Sequence, residues 1–122
     1  MTLKFLQAAQ NSVGLRKENQ AMIIERNVFH LKFGKAKEAK AMWVEYLDMA
    51  KKKDPALEAR LLTDLTGTSY TLILELHIRS FVDITPIVVR MLGAAEWRTF
   101  YDKFIPLCET ASRSLYKIES IV

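Results

Sequence analysis

From Met22 onward the alternation of apolar and polar positions divides the chain into readable pieces. Residues 21–33 are rich in β-branched and aromatic side chains with apolar positions on both faces, which predicts a central strand ended by Gly34. The period then lengthens. Across 35–53, Ala39, Met42, Trp43, Tyr46, Leu47 and Ala50 recur at helical spacing while Lys37, Glu38, Lys40 and Glu45 fall opposite, so an amphipathic helix is expected, closed by Asp54-Pro55. Residues 59–65 and 69–79 read as a strand pair joined across Thr66-Gly67-Thr68. The second member alternates cleanly: Leu72, Leu74, Leu76 and Ile78 on one side, Thr71, Ile73, Glu75, His77 and Arg79 on the other. Ser80 to Asp83 has capping-box spacing, and a helix is expected to run to Leu92, break at Gly93 and resume over 95–104. Trp97, Phe100, Tyr101 and Phe104 fall on one face of it, and residues 112–121 close the chain as a last strand.

The order strand, helix, strand, strand, helix pair, strand is the split β-α-β of a ferredoxin-like α+β fold. One four-stranded antiparallel sheet with helices on a single face is expected. Its other face would carry Ile73, Glu75 and His77 together with Glu25 and Phe29 of the first strand, turning Arg26 and His30 toward the helices. So apolar a face predicts pairing with a second copy.

Composition narrows the class without changing that picture. At 122 residues, 50% hydrophobic and 26% charged, the chain has the make-up of one globular domain. Residues 21–122 form that domain and 1–20 read as an N-terminal extension lacking the apolar centre of a secretory signal. The net charge of +4 gathers over 32–53, where seven Lys face three acidic residues, but no aromatic residue interleaves Lys51-Lys52-Lys53 as a base-stacking surface would need. A solvated helix face is expected there, not a nucleic-acid site. No apolar run approaches a membrane span, and the lone Cys108 cannot form an internal disulfide, so a cytoplasmic protein with no membrane partner is the expectation.

Residues 22–120 carry a resemblance as well. Phe33-Gly34-Lys35-Ala36-Lys37-Glu38-Ala39 with Trp43, Ser80 after the third strand, Trp97-Arg98-Thr99-Phe100 and Pro106-Leu107 resemble the motifs of NIPSNAP-like domains, members of the dimeric α+β barrel superfamily. The family's Glu-x-Arg-x-Tyr strand aligns with Glu25, Asn27 and Phe29, and its Trp-x-Tyr pair with Leu76 and Ile78, so the chain departs from the pattern at both places. The resemblance implies a homodimer whose sheets meet around a barrel-like interior, and superfamily relatives that include cofactor-independent monooxygenases, isomerases and haem-degrading enzymes.

The candidate chemistry lies on the third strand. Glu75 and His77 are two apart on one side, close enough for a carboxylate to orient an imidazole that titrates near neutrality, which makes them candidate catalytic residues with His77 as general base. Arg79 could clamp an anion, and Glu25, Asn27, Phe29 and Ile73 complete a candidate ligand-binding set. The same three polar residues could equally be salt-bridging strand residues. His30 and His77 have no third ligand, so no metal is expected, and no Gly-x-Ser-x-Gly, Walker or Cys-x-x-Cys motif calls for a cofactor. Cys108 reads as a packed thiol, and the Trp and Phe stripes as core. The expected function is binding of a small, mostly apolar organic molecule between sheet and helices, with Glu75 and His77 as polar contacts. A cofactor-independent monooxygenase or isomerase using His77, and a ligand-free structural or interaction domain, are the alternatives.

Overall fold

The computed structural model describes residues 23–79 and 95–122. Its elements are β1 (Ile23–Leu31), α1 (Ala36–Lys53), β2 (Ala59–Thr63), β3 (Thr71–Ile78), α2 (Ala95–Phe104), a single 3-10 turn (Ile105–Leu107) and β4 (Cys108–Lys117). The expected extension at 1–20 and the expected helix and cap over 80–92 lie outside the described residues. The four strands form one antiparallel sheet in the order β2-β3-β1-β4, so the architecture is the ferredoxin-like one.

Each boundary has a local cause. β1 gives way to α1 through Gly34, which sits at φ +77°, a left-handed conformation costly for a residue with a Cβ. α1 ends in Lys51, Lys52 and Lys53, cations suited to the negative end of the helix dipole. Lys51 Nζ then donates to Pro55 O (2.6 Å) and Leu57 O (2.7 Å), tying the connection into β2 to the last helical turn. At the β2–β3 connection, Asp64 Oδ1 accepts from Thr71 N at 2.9 Å and stands in for a ladder bond as the turn begins. β4 starts at Cys108, four residues before the expected strand, because the backbone turns straight out of Pro106 and pairs Leu31 with Cys108.

The core lies between one face of the sheet and the two helices. Trp43, fully buried, is its centre, with ring centroids 4.7 Å from Phe100, 5.4 Å from Phe104 and 5.8 Å from Phe29. Phe29 in turn meets Phe104 edge-on at 4.9 Å. These contacts fix the orientation of β1 and correct the expected one. Phe29, and with it Asn27 and Glu25 by strand alternation, faces the helices; Arg26 and His30 face away. β3 has the predicted sidedness: Leu72, Leu74, Leu76 and Ile78 are all buried, the three leucines in one cluster with Trp43 and Phe104 of the helices.

Candidate functional site

Because strand alternation is strict, the residues expected to form one site are divided between two faces. Asn27, opposite both Leu74 of β3 and Arg113 of β4, marks the middle of the helix-side face, with Glu25 two residues along it. Glu75 and His77 lie on the other face, beside Arg26 and Ile24 respectively. They therefore do not supply polar contacts between sheet and helices, and Ile73 goes with them. Arg79, just past β3, lies 4.0 Å from Glu58.

On the helix side a cavity of about 440 Å³ opens between the sheet and the two helices. Leu74 and Leu76 line its sheet side, while Phe29, Trp43, Trp97 and Tyr101 supply aromatic walls. Glu25, Asn27, Ser112 and Arg113 add polar residues to the lining. Glu25 is 5% exposed, a poor position for a carboxylate unless it is paired. The pairing comes from β4: Arg113 Nε donates to Glu25 Oε1, reaching diagonally across the strand pair. Glu25 Oε2 is buried with no hydrogen-bond partner among the described residues, and so is Trp43 Nε1. A buried acceptor and a buried donor without partners each carry a desolvation cost of about 1–3 kcal/mol.

The opposite face is arranged otherwise. Arg60 of β2 and Arg26 of β1 flank Glu75 in register, making a row across three strands. Arg26 Nε and Nη2 donate to Oε2 at 2.9 and 2.5 Å; Arg60 Nε and Nη2 donate to Oε1 at 3.2 and 2.6 Å. Burial pushes the Glu75 pKa up, but the hydrogen bonds from Arg60 and Arg26, with both positive charges, outweigh it and hold the carboxyl below its ordinary value. His77 Nε2 stands 3.8 Å from Glu75 Oε1, beyond hydrogen-bond reach, and is itself buried without a partner among the described residues. His77 and Arg60 also border a second cavity of about 460 Å³ along the β2 edge, where Lys51 is already committed to backbone carbonyls. His30 Nδ1 lies 3.4 Å from the Thr71 hydroxyl.

Two further candidates are settled by their surroundings. Burial raises the Cys108 thiol pKa, only partly countered by Lys32, and its Sγ lies 3.8 Å from Phe104 O, so it is a packed thiol and not an activated nucleophile. Among the described residues no group of three His, Cys, Asp or Glu could hold a metal ion, and no helix is long and apolar enough to cross a membrane.

Sequence reasoning placed Glu25, Asn27 and Phe29 in a ligand site, and all three line the cavity. It missed Arg113, which has no local signal: the partner of a buried carboxylate 88 residues away is visible only in the sheet register. Trp43 belongs to the expected core and Trp97 packs against it, and both residues also border the cavity.

Comparison with known proteins supports the architecture. No family model and no curated protein matches the chain. Among solved structures, a NIPSNAP-like domain protein from Burkholderia xenovorans superposes with a TM-score of 0.72 at 15% identity, covering 84% of this chain and 90% of that one. A NIPSNAP family protein from Agrobacterium tumefaciens superposes with a TM-score of 0.71 at 15% identity, over 84% and 90% of the two chains. SnoaB, a cofactor-independent oxygenase from Streptomyces nogalater, does so with a TM-score of 0.64 at 12% identity, over 84% and 97%. The fold is that of NIPSNAP-like domains, as the sequence motifs implied.

Proposed function

We propose that this protein binds a small, mostly apolar organic molecule in the cavity between the sheet and its two helices. One observation carries the reading: a concavity of about 440 Å³ whose walls are aromatic and whose few polar groups include the buried Glu25–Arg113 ion pair. That combination of apolar lining with sparse, fixed polar groups is what ligand pockets share, and the volume falls in their usual range of roughly 300–1,000 Å³. Asn27 joins the pair as a third orienting group. The general-base role of His77 draws no support from this cavity, since the imidazole lies on the far side of the sheet.

The test uses the protein's own fluorophores, because both tryptophans of the chain line the cavity. Titration with naphthalene is expected to change tryptophan emission saturably in the wild type and to lose that saturation in Ala111→Phe, which fills the space from β4. A linear change of equal slope in both proteins overturns the reading.

The reading includes a homodimer. Its support is the face away from the helices, where Ile24, Val28 and Ile73 surround the arginine–glutamate row without a helix above them among the described residues. Light scattering is expected to give twice the 14.0 kDa chain mass at micromolar concentration; a monomer there refutes this part.

A further inference from the structure

We propose that the end of the sheet where the β1–α1, β2–β3 and α2–β4 connections meet docks on an anionic lipid surface. β1 and β2 finish where β3 and β4 begin, so these three connections gather at one end of the domain. Their backbones are joined there: Leu31 N donates to Tyr70 O and Lys32 N to Leu107 O, each at 2.8 Å. Every one of the three carries a large apolar side chain exposed to water. Phe33 is 85% exposed, Leu65 98% and Ile105 48%, and Phe33 meets the ring of Tyr70 edge-on at 5.5 Å. Single exposed apolar residues are ordinary on a protein surface, but three on adjoining loops mark a place of contact.

The charge at this end selects the partner. The lysine excess over 32–53 starts here: residues 32–40 read Lys-Phe-Gly-Lys-Ala-Lys-Glu-Ala-Lys, four cations against Glu38, which lies 3.9 Å from Lys35. Lys32, Lys37 and Lys40 are exposed and form no ion pair with a described residue, so their charges are open to a partner. Asp64 is the acidic residue of the three connections, and its Oδ1 is already taken by Thr71 N. Apolar points among lysines match an anionic bilayer, where ammonium groups rest at the headgroups and apolar side chains enter the acyl boundary.

The other occupants fit less well. Phe33 between Lys32 and Lys35 could stack on a nucleic-acid base, but Leu65 and Ile105 are aliphatic and offer no ring face to a second one. A folded protein would need a surface contoured to three side chains on separate loops, whereas lipid chains accommodate protruding groups of any shape. A docked surface requires no spanning segment, so the lack of a long apolar helix among the described residues bears on crossing a bilayer and not on resting against one.

Sedimentation of the full chain with sucrose-loaded vesicles tests this. Binding to equal parts phosphatidylcholine and phosphatidylglycerol is expected to be at least about tenfold tighter than to phosphatidylcholine alone, since each lysine near an anionic surface contributes about fivefold. Lys32→Gln/Lys37→Gln is expected to lower that preference by about tenfold or more. Phe33→Ser/Leu65→Ser is expected to weaken binding at least about tenfold, and Leu65→Ser alone, at a position packed against almost nothing, gives a measurable loss without touching the fold. Neither residue lines the cavity between sheet and helices, so naphthalene titration of the serine variants should match the wild type, and the two readings fail separately. The proposal is overturned if neither vesicle binds, if both bind equally, or if binding ignores the serine substitutions. Capture of a single-stranded thymidine oligonucleotide without capture of vesicles likewise overturns it and makes the partner a nucleic acid.

Discussion

Glu25 on β1 and Glu75 on β3 are the two buried carboxylates of the described residues, on adjacent strands of one sheet but on opposite faces. Glu75 has four hydrogen bonds from two arginines and no oxygen to spare. Glu25 has one bond, from one arginine, and a second oxygen with no partner among the described residues. Burial is nearly equal, so burial does not separate a structural carboxylate from a binding one. What separates them is how completely the fold satisfies each, and whether the unsatisfied atom belongs to a residue that lines a cavity. A fully satisfied buried ion cluster rigidifies its surroundings, whereas a half-satisfied one is held only because the rest of the structure over-determines it.

The largest expected effect comes from dismantling the satisfied side. Glu75→Ala leaves the guanidiniums of Arg26 and Arg60 facing each other across β3 with the intervening charge removed. Breaking a fully buried ion cluster costs about 3–5 kcal/mol, and because both arginines remain partly exposed, a loss of about 3 kcal/mol is expected here. Urea denaturation measures it. Naphthalene affinity should be unchanged, since the cavity is on the other face; a parallel loss of affinity would show that the two faces are not independent.

Arg113→Ala probes the other side and is expected to cost less, about 2 kcal/mol, because it takes from the buried Glu25 the charge that pairs it among the described residues, while Arg113 itself is 53% exposed and gives up little of its own. Here affinity should fall together with stability. A change in neither would mean that the Glu25–Arg113 pair orients nothing.

The same contrast explains what could be read from the sequence. The alternation in β3 is unambiguous, four aliphatic residues against Thr71, Ile73, Glu75 and His77, so its sidedness was legible. β1 reads Ile-Ile-Glu-Arg-Asn-Val-Phe-His-Leu, apolar on both faces, and the tie turns on where Glu25 goes. A charge is ordinarily expected away from the core, which inverts the strand. The pairing that reverses this preference comes from Arg113, on a strand whose start was itself obscured because Cys108–Lys117 is an edge strand with almost every residue exposed. The Trp43 and Phe100 stripes were legible because helical spacing is local. The site was only partly legible, because it is made by register between β1 and β4, which no local pattern encodes.

Acidification sharpens the comparison at smaller amplitude. The Glu75 pKa is lowered in the folded state, so its contribution is fully present above the unfolded value near 4.5 and is lost as pH falls through the lower folded value. The wild type should therefore lose stability below about pH 4.5 more steeply than Glu75→Gln does, read from urea midpoints across the acid range. Identical acid profiles for the two proteins would remove Glu75 from the account of the open face.

The smallest expected effect is the most diagnostic. Glu25→Gln keeps the shape and an acceptor for Arg113 but removes a buried charge whose second oxygen is unpaired among the described residues. Removing a satisfied buried ion destabilises; removing a half-satisfied one relieves a desolvation penalty while giving up one charge-assisted bond, and the two nearly cancel. A change within about 1 kcal/mol of zero, in either direction, is therefore expected for Glu25→Gln in urea denaturation, beside a loss in Glu75→Gln at the same pH. Near-neutral stability is what a carboxylate kept for something other than the fold produces, because such residues contribute little to the structure that holds them. If Glu25→Gln instead costs as much as Glu75→Gln, then Glu25 is a second structural carboxylate, and the asymmetry between the two faces has no functional meaning.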